Sequence, residues 1–250
     1  MVALLSMTRL YAFFNASPIL SKQLVIGNIR GCFTLSIAMI VMPLVDAQYP
    51  QESLPFFQLA YILIKEIAIG VLLGFAVGFI FWVGHAIGFY IDNHRGASNV
   101  STTSVFTEEQ GSPLADAIEL IISTLMFIGG YFLMLLLFLY KSFQLWPVLS
   151  IFPGLDANDL TIILDFMDSY AFYAVVLASP VVIACFVSEI GLGLMNRFAQ
   201  QLQVFFLAQP IKSAVAFIML IHYMPFLFYY LKEKLNFMDI FIAPFNVLLK

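Results

Sequence analysis

Long stretches without a charged residue are the feature that most constrains this chain. Six such runs occupy residues 10–21, 31–45, 67–91, 120–140, 169–188 and 213–231. An apolar helix needs about 20 residues to cross the hydrocarbon core of a bilayer, with a range of roughly 17–25. The last four runs meet this length, whereas 10–21 and 31–45 are shorter and contain Pro18 and Pro43. We therefore expect several membrane-spanning helices.

Composition supports a membrane protein. Hydrophobic residues make up 62% of the 250 positions and charged residues only 10%, with a mean hydropathy of +0.97. Soluble domains carry roughly 25% charged residues. Because much of a soluble protein's exterior must face water, a soluble fold of this size could not hide so much apolar surface. Lipid or partner subunits must solvate the remainder.

The fold class follows from how the apolar residues are arranged. A membrane β-barrel would show short segments that alternate between apolar and polar residues, and the run 67–82 does not alternate. We predict an all-α, multi-helix integral membrane protein with kinked helical hairpins, forming one membrane domain over residues 1–250. Ser112–Pro113 is typical of a helix start. Pro180, Pro210 and Pro225 should kink or break their helices.

Several function classes lack support in the sequence. The formal net charge is −4 and there is no basic run, so nucleic acid is not an expected partner. The histidines His85, His94 and His222 have no second ligand at helical spacing, and the two cysteines have no neighbouring ligand. No nucleophile–base pair is recognisable. We expect no enzyme activity, no metal and no cofactor.

Glycine spacing is the first positive signal. Glycines recur every four residues in two groups, which are Gly70, Gly74 and Gly78, followed by Gly84 and Gly88. On a helix this spacing forms a flat stripe that allows another helix to approach closely. The stripe serves either packing within the chain or an interface with another subunit, and spacing alone does not separate these two interpretations.

A polar stripe is the second signal. Its members are spaced 4, 3, 4 and 3 residues apart, and they are Glu189, Gly193, Asn196, Gln200 and Gln203. If one helix continues through them, all five share a face. Polar groups at membrane depth require a partner or a water-filled cavity. The stripe is therefore an interhelical hydrogen-bonded seam or the lining of a pore, unless 195–203 is a loop between helices.

Isolated charges at the edges of the apolar runs are the third signal. The candidates for ion pairs between helices are Glu66, Asp92, Arg95, Arg197 and Lys212. The simpler interpretation is that each long side chain extends to the membrane interface and keeps its charge in water. The sequence does not indicate which charges pair.

Three stretches together resemble the T-subunit family of the type III secretion export apparatus, related to the flagellar protein FliR. The first is Glu66-x3-Gly70-x3-Gly74, followed by His85-Ala86-x-Gly88 and the segment 91–96 (IDNHRG). The second is 123–142, with its paired Gly129–Gly130. The third and most specific is 178–213, which contains Pro180, Glu189, Gly191, Arg197, Gln201, Val204, Phe205, Pro210 and Lys212. The segment 91–96 points to the virulence branch.

This resemblance implies a structural subunit of a helical export gate in the bacterial inner membrane, partly displaced toward the periplasm. The implied partners are the R, S and U subunits, membrane lipid and secreted polypeptides in transit. Residues 1–145 would form R-like helical hairpins and 169–231 an S-like hairpin. The polar face at 189–203 would line or close the entrance for unfolded substrates, so that the chain acts as a passive conduit.

Two other functions remain as alternatives. A small-solute transporter or channel predicts discontinuous helices in matched halves of the chain, and no matched halves are visible. An intramembrane enzyme requires a convergent set of ionisable residues. Glu189, Lys212 and His85 are the only candidates, and they form no known catalytic set.

Overall fold

A computed structural model describes residues 2–20, 27–47, 55–96, 112–149, 157–198 and 204–234. Over these ranges the regular structure is entirely helical, which confirms the all-α prediction. The helices are α1 (Val2–Ala16), α2 (Gly27–Asp46), α3 (Phe56–Arg95), α4 (Pro113–Ile128), α5 (Tyr131–Leu145), α6 (Ala157–Phe198) and α7 (Val204–Lys234), with a 3₁₀ turn at Pro18–Leu20.

Four of these helices contain stretches long and apolar enough to cross a membrane: Ile29–Asp46, Phe56–Arg95, Asp168–Phe198 and Leu207–Tyr230. The run 120–140, expected to be one helix, is instead divided between α4 and α5, which meet at an angle of 78°. The division falls at Gly129–Gly130, and Gly130 has a φ of 73°. Glycine adopts this left-handed conformation without the steric penalty of a Cβ atom, so the helix is broken here.

The helices extend beyond the uncharged runs that predicted them. Helix α1 passes through Arg9, and α3 includes Lys65 and Glu66. Helices α2, α6 and α7 continue through their internal prolines, so Pro180, Pro210 and Pro225 do not break their helices, and a kink at each stays a prediction. Neighbouring helices and local adjustments satisfy the carbonyl groups that a proline frees in a membrane helix.

The chain forms two compact units. The first contains the described residues of Met1–Phe81 and Leu125–Thr161, and the second contains those of Trp82–Thr124 and Ile162–Ile240. In the first unit Phe13 and Phe14 are fully buried, and the Phe14 ring packs edge-on against Phe33 with centroids 5.8 Å apart. In the second, Ile87 of α3 and Ile118 of α4 are fully buried. Each unit therefore has its own apolar core.

Candidate functional site

The glycines of the first unit bring α3 into backbone contact with α1. A Cβ atom added to Gly70 would overlap the carbonyl oxygen of Arg9 and lie 2.8 Å from the Cβ of Ala12. A Cβ added to Gly74 would lie 2.6 Å from the carbonyl oxygen of Phe13. Such distances leave no room for a side chain, so these glycines serve packing within the chain.

The glycines of the second unit do the same for α4. A Cβ added to Gly84 would overlap the side chain of Ile122, and one added to Gly88 would lie 2.5 Å from the backbone nitrogen of Ala115. Gly78 is buried. The structure thus places four of the five predicted glycines against helices of the same chain.

A buried ion pair joins α1 to α3 beside the first glycine. Arg9 Nε donates to Glu66 Oε2 at 2.6 Å, and Arg9 Nη2 donates to Glu66 Oε1 at 3.0 Å. Both side chains are fully buried. The planar guanidinium matches both oxygens of the carboxylate. Glu66 therefore lies in an ion pair, and the alternative that it extends to the membrane interface does not apply.

The same arginine binds the C-terminal end of α5. Arg9 Nη1 donates to the Ser142 carbonyl and Nη2 to the Trp146 carbonyl, both at 2.9 Å. Its guanidinium carbon lies 4.0 Å from the centroid of the Phe143 ring. The Ser142 carbonyl also accepts the Trp146 amide at 3.0 Å, and the carbonyl end of a helix carries partial negative charge that attracts a cation. Arg9 thus fastens α5 to α1 and α3.

Lys65 completes this arrangement, which we call the Arg9–Glu66 cluster. Its Nζ lies 3.2 Å from Glu66 Oε1 and donates to the carbonyls of Pro147 and Val148 at 3.1 and 2.6 Å. Two buried cations therefore share one carboxylate, and backbone carbonyls after α5 supply the remaining negative partial charge. The sequence did not indicate that Arg9 belongs to this site, although a lone arginine in an apolar helix is a signal of a buried pair.

A second carboxylate joins α3 to α4 in the other unit. Asp92 Oδ2 accepts hydrogen bonds from Ser112 Oγ at 2.5 Å and from the Leu114 amide at 3.0 Å, and Oδ1 accepts one from Arg95 Nε at 2.6 Å. Ser112 Oγ in turn accepts the Ala115 amide at 3.3 Å. Ser112 is thus the predicted N-cap of α4, and Asp92 satisfies a further amide of the first helical turn.

The hairpin of α6 and α7 holds the third pair. Lys212 Nζ lies 3.3 Å from Glu189 Oε2, with the lysine side chain 13% exposed and that of glutamate 59% exposed. On α6, Asn196 and Arg197 are also exposed, and no ion pair in the described ranges includes Arg197. A Cβ added to Gly191 or Gly193 would meet no atom within 4 Å.

The predicted polar stripe is described only in part. Glu189, Gly193 and Asn196 lie on α6, which continues to Phe198, so residues 195–198 are helical rather than a loop. Gln200 and Gln203 lie outside the described residues. The role of the stripe as a pore lining or a hydrogen-bonded seam stays a prediction.

Among the residues that the structure describes, no group of three or more His, Cys, Asp or Glu side chains could hold a metal ion. His85 Nε2 lies 3.9 Å from Asp116 Oδ1, and both side chains are partly exposed. This pair is a weak polar contact between α3 and α4 and not the beginning of a catalytic or metal site.

Comparison with known proteins assigns the family. Residues 1–238 match the family described as bacterial export proteins, family 1. Yop proteins translocation protein T of Yersinia pestis is 39% identical over 220 residues, covering 88% of this chain and 84% of that protein. Surface presentation of antigens protein SpaR of Salmonella typhimurium is 33% identical over 229 residues, covering 90% and 84%. Flagellar biosynthetic protein FliR of Bacillus subtilis is 28% identical over 226 residues, covering 90% and 86%.

These matches extend over nearly all of the apolar helices and the glycine and charge motifs described above. They confirm the resemblance found in the sequence, and they include a Yop translocation protein and a flagellar biosynthetic protein. The chain therefore belongs to the bacterial export proteins, family 1, as a structural multi-span membrane protein of the type III secretion export apparatus and not an enzyme.

Proposed function

We propose that this chain is the T subunit of an export gate in the bacterial inner membrane. In this role it assembles with the R, S and U subunits around the path of unfolded secreted polypeptides. Residues 1–145 correspond to R-like helical hairpins and 169–231 to an S-like hairpin. The chain hydrolyses nothing itself and acts as part of the wall of a conduit that is partly displaced toward the periplasm.

The observation that carries this proposal is a difference between two helices: the carboxylates of α3 are buried and hydrogen-bonded within the chain, whereas the polar groups near the end of α6 are exposed. Glu66 and Asp92 of α3 are 0% and 2% exposed, and each makes several hydrogen bonds within the chain. In contrast, Glu189, Asn196 and Arg197 of α6 are exposed on an otherwise apolar helix. Because polar groups on a membrane helix require a partner or water, this part of α6 is suited to contact other subunits or an aqueous path.

The exposed glycines support the same interpretation. Gly191 and Gly193 lie between Glu189 and Asn196, and space is open beside both. Small residues allow close approach of a neighbouring helix in membranes. A helix of another subunit packed there would place its own polar groups beside those of α6. On this proposal the stripe formed by Glu189, Asn196, Gln200 and Gln203 is a seam or lining between subunits.

Affinity purification tests the subunit assignment. The tagged chain is purified in mild detergent from its native cell and the co-purifying proteins are identified by mass spectrometry. Recovery of R, S and U subunits at levels above those with an unrelated tagged multi-span protein supports the proposal. A chain that purifies alone contradicts it and would favour a small-solute transporter instead.

Substitution of the stripe tests its role. The first stripe variant is Asn196→Leu, and its control is Met195→Leu, an exposed neighbour on the same turn of α6. The second stripe variant combines Gln200→Leu and Gln203→Leu in one chain. The stripe variants should insert normally but alter secretion or the ion leak across the membrane, while Met195→Leu should not. Secretion and ion leak equal to wild type in both stripe variants would show that the stripe neither lines nor closes the path.

A further inference from the structure

The second half of α3 contacts both helices of the α6–α7 hairpin. Tyr170 Oη of α6 donates a hydrogen bond to the Trp82 carbonyl at 3.4 Å. Farther along α3, the guanidinium carbon of Arg95 lies 4.9 Å from the centroid of the Phe217 ring of α7. Trp82 and Arg95 are 13 residues apart, which is about 20 Å at the usual helical rise. The hairpin is therefore attached to α3 at two separate levels.

Arg95 connects the hairpin to the start of α4. Its Nε donates to Asp92 Oδ1 at 2.6 Å, and Asp92 Oδ2 accepts the Leu114 amide in the first turn of α4. The same guanidinium lies over the Phe217 ring, and the arginine side chain is only 13% exposed. A cation is attracted by the face of an aromatic ring, and the attraction is stronger where water is excluded. One side chain thus bridges α4 and α7.

The residue after Arg95 extends the contact with α7. Gly96 follows the last residue of α3 and has a φ of 82°, a conformation that glycine adopts without steric penalty. A Cβ atom at this position would lie 3.4 Å from Cγ of Gln209. The end of α3 therefore contacts α7 at both Gln209 and Phe217.

Burial changes along the hairpin at this level. Cys185 of α6 and Ala216 of α7 are 1% and 2% exposed. Among the side chains that the structure describes, none is buried within 186–198 of α6 or within 207–215 of α7. The Cys185 thiol lies within electrostatic range of Arg95, so this change occurs close to the arginine. The hairpin is packed on one side of Arg95 and unpacked on the other.

We propose that Arg95 is a latch, a positioning residue that fixes the direction in which the unpacked end of the hairpin projects. While Arg95 contacts both Asp92 and Phe217, the hairpin stays aligned with the start of α4. When the contact with Phe217 opens, the hairpin bends at Cys185 and Ala216, and its end moves beyond this hinge. These contacts lie within one chain, so the latch is independent of the partner subunits proposed above.

The Cys185 thiol reports whether the latch is closed. Cys32→Ala leaves Cys185 as the only cysteine, and its rate of reaction with N-ethylmaleimide is measured on the purified full chain in detergent. A buried thiol reacts when its surroundings open locally. The test variant Phe217→Leu removes the aromatic ring and retains the pair of Arg95 with Asp92. Its matched control, Phe217→Tyr, retains a ring of the same shape.

We expect Phe217→Leu to raise the reaction rate about 2- to 30-fold, the range that corresponds to the loss of one cation–π contact. Phe217→Tyr should react at the wild-type rate. Arg95→Leu should also raise the rate, although loss of a nearby cation disfavours the reactive thiolate, so a rise reports opening. Because both side chains form one contact, the double variant should react no faster than Arg95→Leu.

Three results would overturn the latch. The first is an equal rate for Phe217→Leu and Phe217→Tyr. The second is a double variant in which the separate effects of Arg95→Leu and Phe217→Leu multiply, since this would show that the two side chains act independently. The third is a rise whose dependence on urea equals that of global unfolding, because opening of the hairpin alone exposes less surface. Arg197→Leu, which removes an exposed cation of α6 away from the latch, should leave the rate unchanged.

Discussion

The Arg9–Glu66 cluster and the Glu189–Lys212 pair show two ways of placing charge in an apolar protein. In the cluster the closest N–O distance is 2.6 Å, both side chains are fully buried, and backbone carbonyls bind the remaining donors of the arginine. In the hairpin the distance is 3.3 Å and the glutamate side chain is 59% exposed. The first site is complete within the chain, whereas the second retains capacity for water, headgroups or another subunit.

The glycines repeat this contrast. Helix α3 contains two glycine pairs that contact other helices, and a buried carboxylate lies four residues from each pair. The carboxylate precedes the first pair, in the order Glu66, Gly70, Gly74, and follows the second, in the order Gly84, Gly88, Asp92. Each half of α3 thus packs against one neighbouring helix through its glycines and is joined to the same helix by a buried carboxylate. On α6, Gly191 and Gly193 follow Glu189 but face open space. Similar sequence elements therefore serve internal packing in α3 and are available for external contact in α6.

Removing the charge of Glu66 should have the largest effect. Glu66→Gln leaves Arg9 and Lys65 buried beside a neutral amide. Breaking a buried ion pair from one side lowers the free energy of unfolding by about 3–5 kcal/mol. The change is measured as the loss of thermal stability of the purified protein in detergent, followed by the fluorescence of its two tryptophans. A melting temperature equal to wild type would show that the cluster does not hold α1, α3 and α5 together.

Adding one methyl group to a glycine should have the next largest effect, with opposite signs in the two regions. Gly74→Ala places a Cβ atom against the backbone of α1, and overpacking of this kind costs about 1–3 kcal/mol. Gly191→Ala enters open space on a helix, where alanine is favoured over glycine by up to about 1 kcal/mol. The same melting experiment compares the two variants. Destabilisation of the isolated chain by both would contradict the assignment of Gly191 to an open surface.

Loss of the Asp92 carboxylate should have a smaller and local effect. Asp92→Ala removes the acceptor of the Ser112 hydroxyl and the Leu114 amide at the start of α4. Loss of a helix-capping group costs about 0.5–2 kcal/mol. Hydrogen exchange followed by mass spectrometry should show faster exchange in the first turn of α4. Exchange should be unchanged in α1, which contacts the other half of α3, and faster exchange in α1 would contradict a local role.

Neutralising Glu189 should have the smallest effect on the stability of the isolated chain. Glu189→Gln is the matched counterpart of Glu66→Gln, since the chemical change is identical and only the environment differs. Exposed ion pairs contribute about 0–1 kcal/mol, so the melting temperature should barely change. A loss as large as that of Glu66→Gln would remove the contrast between the two sites and would show that Glu189 acts within the folded chain.

Local features of the sequence predicted local features of the structure. The start of α4 at Pro113 with Ser112 as its cap agrees with prediction, because capping depends on residues adjacent in the chain. The break at Gly129–Gly130 was not predicted, although the glycine pair was visible, because a glycine pair permits a left-handed residue without requiring one. Spacing also predicted correctly that Glu189 and Asn196 of the polar stripe lie on one helix. The function of the stripe stays a prediction, which the substitutions proposed above would test.

The sequence by itself determined that the chain is helical, that it belongs in a membrane and that it is a member of this export family. The first two conclusions depend on composition and on the length and pattern of the apolar runs within single helices, and the third on the likeness of this chain to members of the family. Only the tertiary structure decided that Arg9 pairs with Glu66, 57 residues away, and that the glycines of α3 pack against α1 and α4. Such pairings depend on which helix faces approach each other, and in an apolar chain many faces are alike in composition. The buried charges and the glycines determine which helices pair only once those faces are in contact.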